Sequence, residues 1–330
     1  MTDQPNHAVR AGAGARRRII LVIFLLTCGA SRTSAALLYT SLDHPLAGPR
    51  GTICYDVDGN RIVGTYFDAA GVSHGFVYDG STWSTLNHPD AAGPGGTAIY
   101  GVSGSKLVGT FVNAAGQTSG YVYDGTGFTT LSRPPLATGP VDTFARGIDG
   151  NTIVGYSIES LLTRGFVYDS GTFTNLVVPG AIDTFPDDIN AGRIVGTYEN
   201  LTGTHAFVSS GGTTSTLDHP LGELLGTFGS GVDGPNIVGT YLGLPDGSSH
   251  GFLYDGTVFT AVDFPGVTDT SVNGINGGRI VGSYNDASGV THGFLAVVPE
   301  PSGALAVVGS VWLLCRRRSR VDAIGTTRPV

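Results

Sequence analysis

Four histidines, His74, His205, His250 and His292, each open the same short motif, His-Gly-Phe or His-Ala-Phe, and offer imidazoles that a metal ion could use. Ser119 and Arg164 stand at the equivalent positions of two further copies. Residues spaced by a whole repeat lie too far apart to share one ion unless they meet at an axis, so a repeat-encoded hydrogen bond at the start of each strand is the expectation. His44, His88 and His219 recur just before a proline and read as turn residues. Asp56-Val57-Asp58-Gly59-Asn60 resembles the start of a calcium loop, but the twelfth position, which should carry a bidentate Glu, is Phe67. A hairpin turn is the better reading. Between residues 36 and 298 the one tryptophan is Trp83, matched by Phe128, Phe173 and Phe259 in other copies. An aromatic beside Asp and Asn suits a sugar ring as well as it suits packing, which makes Trp83 the candidate ligand contact. The least repetitive loops, such as residues 242–249, are the better places to look for binding.

Chemistry beyond binding finds no motif. The chain has no His-Glu-x-x-His and no phosphate loop. Glu159, Glu199 and Glu223 are the only glutamates of the central region, and most prominent aspartates sit in repeated turns. No enzyme, no cofactor and no metal is expected. The central region carries 8 basic and 23 acidic residues, a net charge of −15, which repels phosphate and excludes nucleic acid as a partner.

Composition limits the elements that hold these residues. Glycine is 52 of 330, lysine occurs once, and only 13% of residues are charged, a poor mixture for long helices and a good one for short strands joined by tight turns. Cys54 is the only central cysteine, so no disulfide forms there. A core returns six times: Ile62-Val63-Gly64-Thr65-Tyr66, Leu107-Val108-Gly109-Thr110-Phe111, Ile153-Val154-Gly155-Tyr156, Ile194-Val195-Gly196-Thr197-Tyr198, Ile237-Val238-Gly239-Thr240-Tyr241 and Ile280-Val281-Gly282-Ser283-Tyr284. Its glycines are 45, 46, 41, 43 and 43 residues apart. Each copy holds four strand-like segments, with turns such as Asp58-Gly59 and Asp79-Gly80 between them.

Four antiparallel strands per 43 residues or so make one propeller blade, and six copies predict an all-β, six-bladed β-propeller. Ile-Val, apolar on both sides, fits a strand covered by a neighbour on each face. The invariant Gly of the core is expected to let the adjacent blade come close. The sixth copy ends after His292-Gly293-Phe294-Leu295 without a fourth strand, while an orphan segment at residues 37–45 matches fourth strands such as residues 213–220. The orphan should complete the last blade and close the ring.

The two ends read as addresses. Arg16-Arg17-Arg18, the apolar run 19–26 and Thr33-Ser34-Ala35 form a secretory signal over residues 1–35. At the other end, Val298-Pro299-Glu300-Pro301 precedes an apolar stretch at 303–315, read as a transmembrane helix, and then Arg316, Arg317, Arg318 and Arg320, which should stop in the cytoplasm with the tail 321–330. Residues 298–320 resemble the PEP-CTERM sorting signal of Gram-negative bacteria. That resemblance implies an exosortase as processing partner, cleavage near the Pro-Glu-Pro motif and release or attachment at the cell surface, often alongside exopolysaccharide. The motif pair Gly274-Ile275-Asn276…Ile280-Val281-Gly282 and His292-Gly293-Phe294 resembles HAF extracellular repeats, and the resemblance covers most of residues 51–295. It implies an extracellular location and no known activity. The expectation is a propeller domain at 36–297 in an exported, cell-surface or matrix-associated structural or interaction protein, transiently held in the membrane. A lectin-like carbohydrate-binding propeller is the alternative, and a polysaccharide-acting enzyme a distant third.

Overall fold

The computed structural model describes residues 36–135, 139–160 and 162–298. The signal sequence, Pro299 to Pro301, the apolar stretch and the terminal arginines lie outside them. Strand β1 (Leu38–Leu42) is followed by blade 1, made of β2 (Thr52–Asp58), β3 (Arg61–Phe67), β4 (Ser73–Tyr78) and β5 (Trp83–Leu86). Blade 2 is β6 (Thr97–Ser103), β7 (Lys106–Val112), β8 (Thr118–Tyr123) and β9 (Phe128–Leu131), and blade 3 is β10 (Asp142–Asp149), β11 (Thr152–Glu159), β12 (Leu162–Asp169) and β13 (Thr172–Asn175). Blade 4 comprises β14 (Asp183–Asn190), β15 (Arg193–Asn200), β16 (Gly203–Ser210) and β17 (Thr213–Thr216). Blade 5 comprises β18 (Thr227–Asp233), β19 (Asn236–Leu242), β20 (Ser249–Tyr254) and β21 (Phe259–Ala261). Blade 6 has only β22 (Thr270–Asn276), β23 (Arg279–Asn285) and β24 (Thr291–Val297) from its own repeat, and β1 supplies its fourth strand. The chain is thus an all-β six-bladed propeller of four-stranded antiparallel sheets. The seam pairs Leu38 with Val297, Thr40 with Leu295 and Leu42 with Gly293, as the orphan segment predicts.

The Ile-Val dipeptide explains why the blades stack. Ile62 and Val63 are both fully buried. Ile62 packs with Cys54, Val57 and Phe76 against Val281 of blade 6, whereas Val63 packs against Ile99, Val102 and Leu107 of blade 2. Val108, Val154, Val195 and Val238 likewise each enter the cluster of the following blade. Each dipeptide therefore belongs to two interfaces, and six such clusters run around the ring. Full burial of one such side chain contributes about 1.5–3 kcal/mol.

The glycine of the core acts differently from the expectation. A Cβ on Gly64 would lie 2.0 Å from the Ile53 carbonyl oxygen and 2.8 Å from the Phe76 ring, both within blade 1. Phe76 is paired with Gly64 across β3 and β4, so the glycine makes room for the aromatic ring of its own sheet. Close approach of backbone to backbone between blades occurs instead on the inner strands. A Cβ on Gly147 would sit 2.6 Å from Asp188 Cα, and one on Gly274 would sit 2.8 Å from Asp56 Cα.

A second ring is polar. The side chain opening each inner hairpin accepts a hydrogen bond from a backbone N–H in the next blade's turn. Gly104 N donates to Asp58 at 2.7 Å, Gly150 N to Ser103 at 3.1 Å, and Ala191 N to Asp149 at 2.7 Å. Gly234 N donates to Asn190 at 3.2 Å, Gly277 N to Asp233 at 2.8 Å, and Gly59 N to Asn276 at 3.1 Å, which completes the circle. Removing residues 37–45 strips the fourth strand from blade 6 and bares the edge of β24. Such a truncation is expected to aggregate or to unfold over a broad range in a urea titration; a transition as sharp as that of the intact protein would contradict the closed seam.

Candidate functional site

All six inner strands carry a register shift at the same place, between Cys54 and Asp56 in blade 1 and between Val272 and Gly274 in blade 6, for example. The residue skipped in the pairing is released from the sheet's alternation. These six residues are Tyr55, Tyr100, Arg146, Asp187, Ser230 and Asn273, and together they line one cavity of about 190 Å³ around the axis. Their chemistry differs in every blade but the first two, within the otherwise constant frame Thr-x-x-X-Gly/Asp-Val/Ile. Sequence reasoning passed over them because it followed the positions that repeat. The variable position inside a fixed frame was the available signal.

Arg146 and Asp187 form the charged centre. Arg146 Nε and one terminal nitrogen both donate to the same carboxylate oxygen of Asp187, each at 2.9 Å. Burial alone would lower the guanidinium's affinity for its proton, but Asp187 together with Tyr100, Tyr156 and Tyr55 outweighs that and holds it firmly charged. Burial lifts the Asp187 carboxyl above its ordinary value, and the neighbouring guanidinium works against the lift. The guanidinium carbon lies 4.0 Å from the centre of the Tyr100 ring and 5.9 Å from that of Tyr55. Asn273 is tied down by donating to the Cys54 carbonyl at 2.8 Å.

A second cavity of about 240 Å³ shares Arg146, Asp187, Thr197 and Phe228 with the first and adds Tyr156, Phe185 and Glu199. Tyr156 replaces the Thr or Ser that follows the core glycine in every other copy, and its ring stacks on Phe144 at 4.7 Å and meets Phe185 edge-on at 5.2 Å. Blades 3, 4 and 5 thus build an aromatic wall around an ion pair. Planar rings beside paired hydrogen-bonding charges suit a polyhydroxylated ring, which offers C–H faces to aromatics and hydroxyls to the charges.

Toward the other end of the channel, Asp56 and Asp188 stand in blades half a ring apart and line one cavity of about 180 Å³ with Asp58 and Asp149. Asp56 accepts from Val57 N at 2.7 Å and from Val102 N of blade 2 at 2.8 Å. Asp188 does the same with Ile189 N and with Val232 N of blade 5, at 2.7 and 2.8 Å. Burial raises both carboxyls, Asp56 further through the charge of Asp188. Asp188 is pushed up to about 7, against the pull of its two N–H donors. The calcium-like segment at Asp56 is therefore a hairpin whose carboxylates serve the neighbouring blade. Among the described residues no group of three or more His, Cys, Asp or Glu could hold a metal ion.

The repeated histidines stay apart, each in its own blade. His74, His205, His250 and His292 make hydrogen bonds to Asn87, Asp218, Asp263 and Asp43, one or two residues after each outermost strand, at 2.8–3.3 Å. Burial works against protonation of His292, but its bonds to Asp43 and Asp286 prevail and raise its pKa. His44, His88 and His219 lie flat on Tyr66, Phe111 and Tyr241 of the next blade, with ring centres 3.6–3.8 Å apart, and burial lowers their pKa values. Trp83 lies on an outermost strand, half-buried, packed on Tyr78, Phe76 and His44 at 4.5, 5.0 and 5.2 Å. The structure brings neither these histidines nor Trp83 to the channel.

No protein-family model and no curated protein matches this sequence. Similar solved structures include the SapL1 lectin in complex with alpha methyl fucoside, at 15% identity and TM-score 0.51 over 78% of this chain and 99% of that one. They also include the six-bladed fungal lectin of Aleuria aurantia, at 14% identity and TM-score 0.45 over 82% and 98%, and a Trypanosoma rangeli sialidase with the inhibitor DANA, at 11% and 0.48 over 88% and 64%. The class the fold defines is the six-bladed β-propeller.

Unfolding returns Asp188 to the ordinary aspartate value near 4. Between about pH 4 and pH 7 the folded chain then holds a proton that the unfolded chain has released, so this group's contribution to stability falls as pH rises across the window, by at most about 4 kcal/mol. Going from pH 5 to pH 7.5, the urea midpoint of the natural chain should fall further, or rise less, than that of Asp188→Asn, because the histidine contributions are common to both. Equal differences would mean that Asp188 titrates normally.

Proposed function

We propose that this chain is an exported, cell-surface or matrix-associated interaction protein whose propeller binds carbohydrate at its channel. The observation that carries the reading is the Arg146–Asp187 pair set among Tyr55, Tyr100, Tyr156, Phe185 and Phe228, all at positions where the repeat is broken or variable. Residues that recur in every blade serve the ring, whereas a single binding site needs residues that occur once. The lectins of like fold support a sugar as the ligand class, and the acidic body speaks for a neutral saccharide over a polyanionic one. The reading is of a binder rather than a catalyst: the two central charges are committed to each other.

Export and sorting complete the proposal. Strand β24 ends at Val297, and the Val298 N–H donates to the Gly278 carbonyl at 2.9 Å, so in sequence Pro299-Glu300-Pro301 follows directly on the last blade. A processing enzyme acting at that motif would release the propeller intact, which supports an exosortase as partner. The apolar stretch 303–315 and Arg316, Arg317, Arg318 and Arg320 are read as the temporary membrane hold.

On a glycan array the purified protein should give saturable binding that drops at least about tenfold in Arg146→Gln and in Phe185→Ala, both tested as folded by circular dichroism, while Trp83→Phe binds as the natural chain does. Undiminished binding by both channel variants would refute the channel as the site. Mass spectrometry of the protein recovered from the producing cell's surface should find a C-terminus close to Pro299-Glu300-Pro301; a mature chain that retains Arg316 to Arg320 would rule out sorting by cleavage.

A further inference from the structure

The blade 4–blade 5 junction holds a cleft of about 300 Å³, away from the channel, lined by Pro220, Leu221, Glu223, Leu224, Tyr241, Gly243, Leu244 and His250. Two departures from the repeat change the polar partners of its Tyr241 and His250. In blades 1, 4 and 6 the tyrosine of the core bonds through its hydroxyl to a residue of the outermost strand: Tyr66 to Thr85 at 3.1 Å, Tyr198 to Thr216 at 2.8 Å, and Tyr284 to Ser41 at 3.1 Å. In blade 5 that position is Ala261, and the hydroxyl of Tyr241, a residue only 7% exposed, has no hydrogen-bond partner among the described residues. The loop position held by Asp68 in blade 1 and Asp286 in blade 6, where the carboxylate bonds the histidine Nε2, is Gly243 in blade 5. His250 Nε2 turns instead to Ser248 at 3.0 Å. The cleft is held open by its own loop, with Gly243 N donating to Ser248 O and Gly247 N to Gly243 O.

Its walls are apolar and wet. Leu221, Leu224 and Leu244 are 66%, 78% and 58% exposed. A hydrocarbon filling the cleft would leave the Tyr241 hydroxyl unpaired, and a plain hexose would set hydroxyls against leucine. We infer that this cleft is a second saccharide site, and that it takes one sugar unit with an apolar edge, a 6-deoxyhexose, whose methyl group meets Leu221, Leu224 and Leu244 while a ring hydroxyl pairs with the Tyr241 hydroxyl and the Glu223 carboxylate. The volume is at the small end for ligand pockets and matches a single ring. The site deepens the carbohydrate reading but uses none of the channel residues.

The test follows the leucine methyl signals by NMR while a methyl 6-deoxyhexoside, or its parent methyl hexoside, is added to the purified protein. Saturable shifts at Leu221, Leu224 and Leu244 are expected, at least about fourfold tighter for the deoxy sugar, the worth of one buried methyl group. Ala261→Thr supplies the partner seen in the other blades and should weaken binding about tenfold or more while leaving the unfolding midpoint unchanged or higher. Leu224→Ser, at an exposed position, should remove the preference for the deoxy sugar. Arg146→Gln should leave these shifts intact, which separates this site from the channel. Absence of shifts with either sugar, equal affinity for the two, or full binding by Ala261→Thr would overturn the proposal.

Discussion

Burial of one isoleucine and one valine per repeat, on opposite sides of the same strand, is the constraint on which the molecule rests. A strand that is apolar on both faces cannot be satisfied by a single neighbour. Each blade therefore requires another on either side, and six of them meet that requirement only by returning to the start, where Val281 reaches the Ile62 cluster. The glycines of the inner strands let the sheets come within contact, and the side chains at the first turns join hands from Asp58 round to Asn276. With a single, buried cysteine in the described region, no covalent link assists. Cohesion is spread evenly around the circle.

An evenly braced ring frees its centre. The register shift in each inner strand hands one residue per blade to the channel, and that residue has no part in the sheet's hydrophobic alternation. Chemistry can vary there without cost to the frame, and it does, from Tyr55 to Arg146 to Asp187. Arg146 in turn needs Asp187 beside it, because an unpaired guanidinium among tyrosines would be expensive to bury. The outer rim shows the same economy in reverse. In blade 5, alanine at the position of the threonine or serine costs Tyr241 its hydrogen bond.

Much of the architecture was legible in the sequence because the repeat multiplies weak signals. One Asp-Gly pair is a poor predictor, but Asp58-Gly59 recurring with Ile-Val-Gly and His-Gly-Phe defines a blade. The orphan strand β1 was found by the same comparison. The channel was not legible, since Tyr55 and its counterparts look like ordinary strand residues until the register shift is seen. The core glycine was assigned to the wrong neighbour for a related reason: sequence shows that space is needed at Gly64, not that the Phe76 ring of the same sheet fills it. Trp83 drew notice by rarity, yet its ring sits where Phe128, Phe173 and Phe259 sit, in packing. Tyr241 was hidden because its distinction is a partner missing two strands away, at Ala261.

The seam between β1 and β24 has a mechanical consequence. Leu38 faces Val297, so the two chain ends leave the ring side by side at one end of the same pair of antiparallel strands. Tension applied between those ends would load the ladder one rung at a time, as a zipper is pulled, rather than shear all its rungs together. Tension on the C-terminal end alone, with drag on the body, bypasses the seam through β24 and its neighbour β23. A propeller tethered in flowing liquid is thus best held from the β24 side alone.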